Sequence, residues 1–163
     1  MVNKKFLSNV RKNILISSHK AKSSHVGSCL SIVEILSVLY QKILLNQKKD
    51  DKTFILSKGH ACLALYCVLV ECKKLSQKTL DTYGKDNTVL MSHVSHKIKG
   101  VNFSTGSLGH GLPVAAGYAL SLKLKLKNKK NFVLISDGEL NEGTTWEALL
   151  FAGHHKLSNL VVI

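Results

Sequence analysis

Phe132-Val133-Leu134-Ile135-Ser136 is apolar on both faces, as a strand buried inside a parallel sheet must be, and it runs straight into Asp137-Gly138. In open α/β sheets ligands bind beyond the carboxyl ends of the strands, which is where this pair falls. A carboxylate there can hold Mg²⁺, which takes hard oxygen ligands and commonly shares them with substrate phosphates. Gly138 has no Cβ to keep the backbone away from a diphosphate. On the dipeptide alone, an aspartate that merely caps a turn is an equal reading, since Asp-Gly is a common turn pair. Histidines form the second chemical group. A histidine in a glycine-containing loop is often only a polar surface residue, and that is the reading for His96, His110, His154 and His155.

The elements that would position these residues can be read from periodicity. Phe6, Leu7, Val10, Ile14 and Leu15 recur at helical spacing and predict a helix from about Lys4 to Lys20, followed by a polar loop from Lys22 to Cys29. Ser31 and Glu34 have the spacing of a capping box for a second helix reaching about Leu45, and Asn46 to Lys52 reads as a charged turn. Thr53 to Leu56 is a short apolar run ending at Ser57-Lys58-Gly59-His60, and an apolar helix follows to about Cys72: strand, tight loop, helix. A short helix from Ser76 through Thr82 precedes a stretch without periodicity, from Gly84 to Gly111, of the kind that is usually functional inside a compact domain. Pro113 suits the first turn of a helix rich in small residues, whose end frays through Ser121 to Lys127 with lysines at its negative pole. Thr144 and Glu147 have the spacing of another capping box, opening a helix to about His155, and Leu160 to Ile163 predicts a second buried strand. The expectation is one α/β domain over residues 1–163 with a right-handed βαβ unit, its sheet incomplete at the C-terminus and its last edge exposed to pairing.

Composition narrows the function classes. With 45% hydrophobic residues the chain can bury a core, no apolar run approaches the ~20 residues that span a bilayer, and the basic N-terminus lacks the apolar segment of a signal peptide. A soluble cytoplasmic protein is expected, with no membrane partner. Cys29, Cys62, Cys67 and Cys72 contain no C-x-x-C pair, which predicts buried or half-buried thiols rather than a metal site. The net charge of +13 attracts polyanions, but Arg11 is the single arginine, poor material for reading bases, so no specific nucleic-acid partner is expected. All but one of the 23 Lys and Arg precede residue 131, whereas Asp137, Glu139, Glu142 and Glu147 gather beyond it.

The string from Ser136 to Ala148 resembles the thiamine-diphosphate motif of the transketolase family, which begins G-D-G and ends with an asparagine further along the chain. The resemblance extends to Ser24-His25-Val26-Gly27, to Leu56-Ser57-Lys58-Gly59-His60-Ala61, and to the segment from Phe103 to Gly111, four motifs in the family's order over nearly the whole chain. It is closest to the split type, in which the thiamine-diphosphate domain and its partner domain are separate chains. By resemblance, the fold is a thiamine-diphosphate-binding fold with a mainly parallel sheet flanked by helices, the cofactors are thiamine diphosphate and Mg²⁺, Asp137 binds the metal and Gly138 contacts the diphosphate. Gly106 and Leu108 would line the cofactor and fix its V-shaped conformation. His60 would lie beside the diphosphate and the reacting carbon, and His25 and His93 would line the substrate channel. His93 is placed by its distance of 13 residues from Gly106. Glu142 would belong to a carboxylate network reaching across a dimer interface.

Such roles suit histidine, the side chain best able to pass protons near neutral pH. Three departures from the family pattern stand out: Ser136 replaces the first glycine of G-D-G, and Ser92 and Val94 flank His93 in place of glycine and proline. The metal-binding asparagine would fall beyond Ile163, and the glutamate that activates the aminopyrimidine belongs to the partner pyrimidine-binding domain or C-terminal subunit. The resemblance therefore implies a segment of an enzyme that transfers a two-carbon ketol unit between sugar (phosphate) substrates, inactive as 163 residues alone. The alternatives are another thiamine-diphosphate reaction, such as deoxyxylulose-phosphate synthesis or 2-oxo acid decarboxylation, and a non-catalytic remnant.

Overall fold

The structure, a computed structural model, describes residues 3–44, 52–127 and 129–163, without the side chain of Lys52. The chain divides into two compact units, one from residues 1–47 and 60–101 and the other from 48–59 and 102–163.

The first unit is helical. Helix α1 (Lys4–Ala21) starts where the Asn3 side chain accepts from the Lys5 amide, and its stripe of Val10 and Ile14 is buried. α2 (Val26–Leu30) is a single short turn of helix, and α3 (Val33–Val38) continues into a π-helical stretch, Leu39–Leu44. After a 3₁₀ turn (Gly59–Ala61), α4 (Cys62–Glu71) is apolar all round and is buried at every residue from Cys62 to Leu69, as such a helix must be. α1, α2 and α3 all pack on α4. α5 (Gln77–Leu80) is capped by the Ser76 hydroxyl, which accepts from the Thr79 amide at 3.0 Å.

The second unit is a sheet with helices. Strands β1 (Lys52–Leu56), β2 (Lys130–Leu134) and β3 (Leu160–Val162) pair in parallel in the order β1-β2-β3, with Phe54 opposite Phe132 and Phe132 opposite Val161. α6 (Gly111–Leu124) and α7 (Gly143–His154) pack on each other, and the small side chains of α6 let it lie close on the sheet. Ile55, Leu112, Ala115, Val133 and Ala148 form one buried cluster, and Ala116, Ala119 and Leu157 another. Both polar atoms of the buried Asn131 side chain in β2 have a partner: Nδ2 donates to the Ala115 carbonyl at 2.7 Å and Oδ1 accepts from the Thr53 hydroxyl at 2.6 Å.

Several expectations need correction. The expected loop from Lys22 to Cys29 turns helical at Val26, where α2 begins. Because α2 runs to Leu30, Ser31 falls at its C-terminal end, where its hydroxyl donates to the Ser28 carbonyl at 3.1 Å, and Glu34 pairs with Arg11; no capping box forms. The expected second helix is broken accordingly, α3 beginning at Val33. Its last residue, Leu45, and most of the Asn46–Lys52 turn lie outside the described residues, and Lys52 itself opens β1. The second capping box also fails. α7 starts one residue before Thr144, whose hydroxyl donates instead to the Gly109 carbonyl at 2.9 Å.

β3 is half-buried to exposed rather than buried, because it forms an edge of the sheet. Lys123, in the last turn of α6, reaches the carbonyls of His155 and Lys156 at 2.7 and 3.3 Å, so it neutralises the negative pole of α7 rather than of its own helix. The 19 residues Val26–Leu44 do have the length and apolar composition of a membrane-crossing helix. They are broken between α2 and α3, however, and place Cys29, Ile32, Val33, Leu36, Leu39 and Tyr40 in the core.

Candidate active site

In the second unit the site is built on the carboxyl ends of adjacent parallel strands. β1 delivers the buried Ser57, whose amide donates to the Leu134 carbonyl at 2.8 Å, and β2 delivers Ser136 and Asp137 into a 3₁₀ turn (Gly138–Asn141). The loop entering α6 is tied down from below: the Thr105 hydroxyl donates to the Leu56 carbonyl, and Gly109 donates its amide to the Glu139 carboxylate at 3.0 Å. Gly109 has φ of +77°, and a Cβ there would stand 2.5 Å from the Thr144 hydroxyl and 2.7 Å from the Glu142 Cβ. Only glycine serves at that position. The loop carrying Gly106 and Leu108 is thus held against the turn carrying Asp137 and Gly138.

Gly106, Leu108 and Gly138 are half-buried, and Asp137 and Glu142 are exposed. A Cβ on Gly138 would meet only the Ser136 hydroxyl, at 3.9 Å, so the space beside this glycine is open to a ligand. Among the described residues no three His, Cys, Asp or Glu side chains cluster as a metal cage. A single exposed carboxylate beside open backbone fits Mg²⁺, which is usually bound by one or two carboxylates plus phosphate oxygens and water. Glu142 occupies the N-cap position of α7 and makes no cap through its side chain.

In the first unit His25 and His60 come together, their ring centroids 5.1 Å apart and tilted by 49°. His25 precedes α2 with a left-handed backbone, φ 66°, and its Nδ1 lies 3.2 Å from the Ser24 hydroxyl. Non-glycine residues avoid that region unless something holds them there. His60 lies in the 3₁₀ turn leading into α4 and is half-buried. His93 is exposed; its carbonyl accepts from the Tyr66 hydroxyl at 3.1 Å and its Nδ1 lies 3.4 Å from the Ser92 hydroxyl. The buried Val94 and Ile98 anchor its loop. Of the remaining histidines, His96, His110 and His154 are exposed, and His155 stacks near Phe151 at 4.3 Å.

Sequence reasoning missed Glu139. It is fully buried, and its carboxylate accepts from the Ser57 hydroxyl, the Gly109 amide, the Ser136 amide at 2.9 Å and the Ser136 hydroxyl at 3.3 Å. Nothing in the string Asp137-Gly138-Glu139-Leu140 marks it, because a glutamate in a polar turn reads as solvated. Ser57 and Thr105, also buried, lie inside two of the motif strings, but neither is singled out there.

The chain matches the family described as transketolase, thiamine diphosphate binding domain, over residues 2–163. It is 42% identical to an apulose-4-phosphate transketolase subunit of Actinobacillus succinogenes over 94% of this chain, and 35% identical to the 6-deoxy-6-sulfo-D-fructose transketolase subunit SqwG of a Clostridium species over 93%. In each comparison it covers 58% of the relative's length. Among solved structures it superposes on a transketolase mutant from Pichia stipitis with a TM-score of 0.88 at 28% identity, and on the transketolase of Leishmania mexicana with 0.84 at 25%. These cover 99% and 97% of this chain and 26% of each of the larger ones. The parallel three-stranded sheet with its flanking helices, the loops at its carboxyl ends and the match over residues 2–163 together show that this chain belongs to the transketolase thiamine-diphosphate-binding domain family.

Proposed function

We propose that this chain supplies the cofactor-binding part of a split transketolase, acting with a second subunit to transfer a two-carbon ketol unit from a ketose to an aldose. The observation that carries this reading is the junction of the Gly106–Gly109 loop with the Asp137–Gly138 turn beyond the ends of β1 and β2, in a chain similar to proteins named as transketolase subunits. Asp137 would hold Mg²⁺, Gly138 would let the diphosphate approach the backbone, and Gly106 and Leu108 would line the rest of the cofactor. Thiamine diphosphate supplies the electron sink for cleaving the bond beside a carbonyl. His60 and His25, side by side, are suited to orienting sugar hydroxyls and carrying their protons, with His93 as a further channel histidine. Glu142, exposed beside the turn, is suited to a carboxylate network across a subunit interface. Four cysteines without a disulfide accord with a reducing, cytoplasmic setting.

The test is to titrate thiamine diphosphate into the full-length protein with and without Mg²⁺, then to screen ketose and 2-oxo acid donors with the second subunit present. Magnesium-dependent binding, and ketol transfer only when both subunits are combined, are the expected results. Decarboxylation of a 2-oxo acid, turnover without the second subunit, or no cofactor binding would each overturn the reading.

A further inference from the structure

We infer that Glu139 is the positioning residue of the cofactor floor, holding the Asp137–Gly138 turn and the Gly106–Gly109 loop in one fixed arrangement beyond the ends of β1 and β2. The inference rests on the reading of those two segments as cofactor contacts. Glu139 is fully buried, and among the described residues no ion pair involves it. A carboxyl group in such a place is costly unless its oxygens are satisfied.

The donors that satisfy it come from three separate segments. Oε1 takes the Ser57 hydroxyl, from the end of β1, and the Gly109 amide, from the loop before α6. Oε2 takes the amide and hydroxyl of Ser136, from the end of β2. Its own backbone is fixed too, the amide donating to the Ser136 carbonyl at 3.1 Å and the carbonyl accepting from the Thr145 hydroxyl at 2.6 Å. Every side-chain contact is a donation to the carboxylate, so both oxygens are used as acceptors and no other side chain of this length offers that pattern. Two of the three segments are the ones that carry Asp137, Gly138, Gly106 and Leu108. A diphosphate and its cation are bound well only when their contacts are held to a fraction of an ångström, and loops need a supporting shell to achieve that.

Glu139→Gln tests this with almost no change of shape. Whichever way the amide turns, its NH₂ faces a backbone N–H, of Gly109 or of Ser136, which cannot rotate away. The dissociation constant of thiamine diphosphate with Mg²⁺ is measured on the full-length protein with its second subunit, at a temperature where circular dichroism shows each variant folded. E139Q is expected to bind about tenfold or more weakly, the scale of one buried donor left unsatisfied. Leu122→Ala, which opens the packing of α6 away from these loops, is the control for lost stability and is expected to keep the wild-type constant within about twofold. Equal binding by E139Q and wild type, or equal weakening in both variants, overturns the inference. No binding by the wild-type protein overturns the functional reading and the inference together, a different result from equal binding. Should E139Q not fold, Ser57→Ala decides: about threefold weaker binding is expected, and an unchanged constant overturns the inference.

Discussion

Burial pushes the Cys62 thiol up to about 12, desolvation of the thiolate and the neighbouring Cys29 outweighing hydrogen bonds from Tyr66 and Tyr83. Burial raises Cys67 as well, while Cys72, only half-buried, rises to about 11. Because these values lie above those of the unfolded chain, the thiols cost the fold nothing below about pH 8. Stability then declines as the pH climbs past the unfolded thiol value near 9, where only the unfolded state ionises. Iodoacetamide at pH 8 should alkylate Cys72 first and reach Cys62 and Cys67 only in denaturant, as peptide mass spectrometry will show. Early labelling of Cys62 would contradict its burial. The absence of a C-x-x-C pair pointed to structural thiols, but the shifts depend on neighbours, Cys29 and Tyr83 among them for Cys62, that only packing brings close. At Glu34 the sign is opposite. The Arg11 guanidinium holds its carboxyl below the usual range, so what stability the pair adds is present above that range and lost as the pH falls. Both groups are exposed, and the contribution is small.

The elements most legible in the sequence were those whose apolar pattern leaves little choice. α1 follows its helical stripe, β2 its run of residues apolar on both faces, and α4 its unbroken apolar composition. Two helix starts were misplaced for one reason. Ser31 and Thr144 have hydroxyls that could cap a helix, yet each satisfies a carbonyl instead, Ser28 within α2 and Gly109 in the site loop. Local spacing shows what a hydroxyl can do, whereas competing acceptors decide what it does. Asn131 shows the converse, a polar residue in the middle of a buried strand that no propensity favours. Its amide joins β2 to α6 through Ala115 and to β1 through Thr53, so Asn131→Ala should cost about 1–3 kcal/mol in urea unfolding. A midpoint unchanged from wild type would show those two hydrogen bonds to be energetically idle.

For the whole molecule, the charge is the property that sequence states most directly and that structure qualifies least. The excess of 23 basic over 10 acidic residues attracts any polyanion, but the lysines are scattered over residues 4–130, with Lys156 alone beyond, rather than set on one reading element. Binding to duplex DNA should be weak, indifferent to sequence, and lost between about 50 and 200 mM salt; salt-resistant or sequence-selective retention in a mobility-shift assay would contradict this. Each unit is assembled from two stretches of chain, β1 joining the sheet with β2 and β3 although it precedes α4 of the other unit in sequence. A parallel pair requires a long crossover, and the chain between β1 and β2 is long enough to contain α4, α5 and α6.

By itself the sequence determined the class of fold, the order of its main elements and the residues at which chemistry is expected, because periodicity, strand-end position and motif spacing are local properties that survive without coordinates. Tertiary structure alone decided that His25 and His60 share a place, that Thr144 does not cap, and that Glu139 is buried beneath the site rather than solvated beside it. The physical reason is the same in each case. Which donors meet which acceptors, and which carboxylate loses its water, depends on segments far apart in the chain that only the packed fold brings within hydrogen-bond reach.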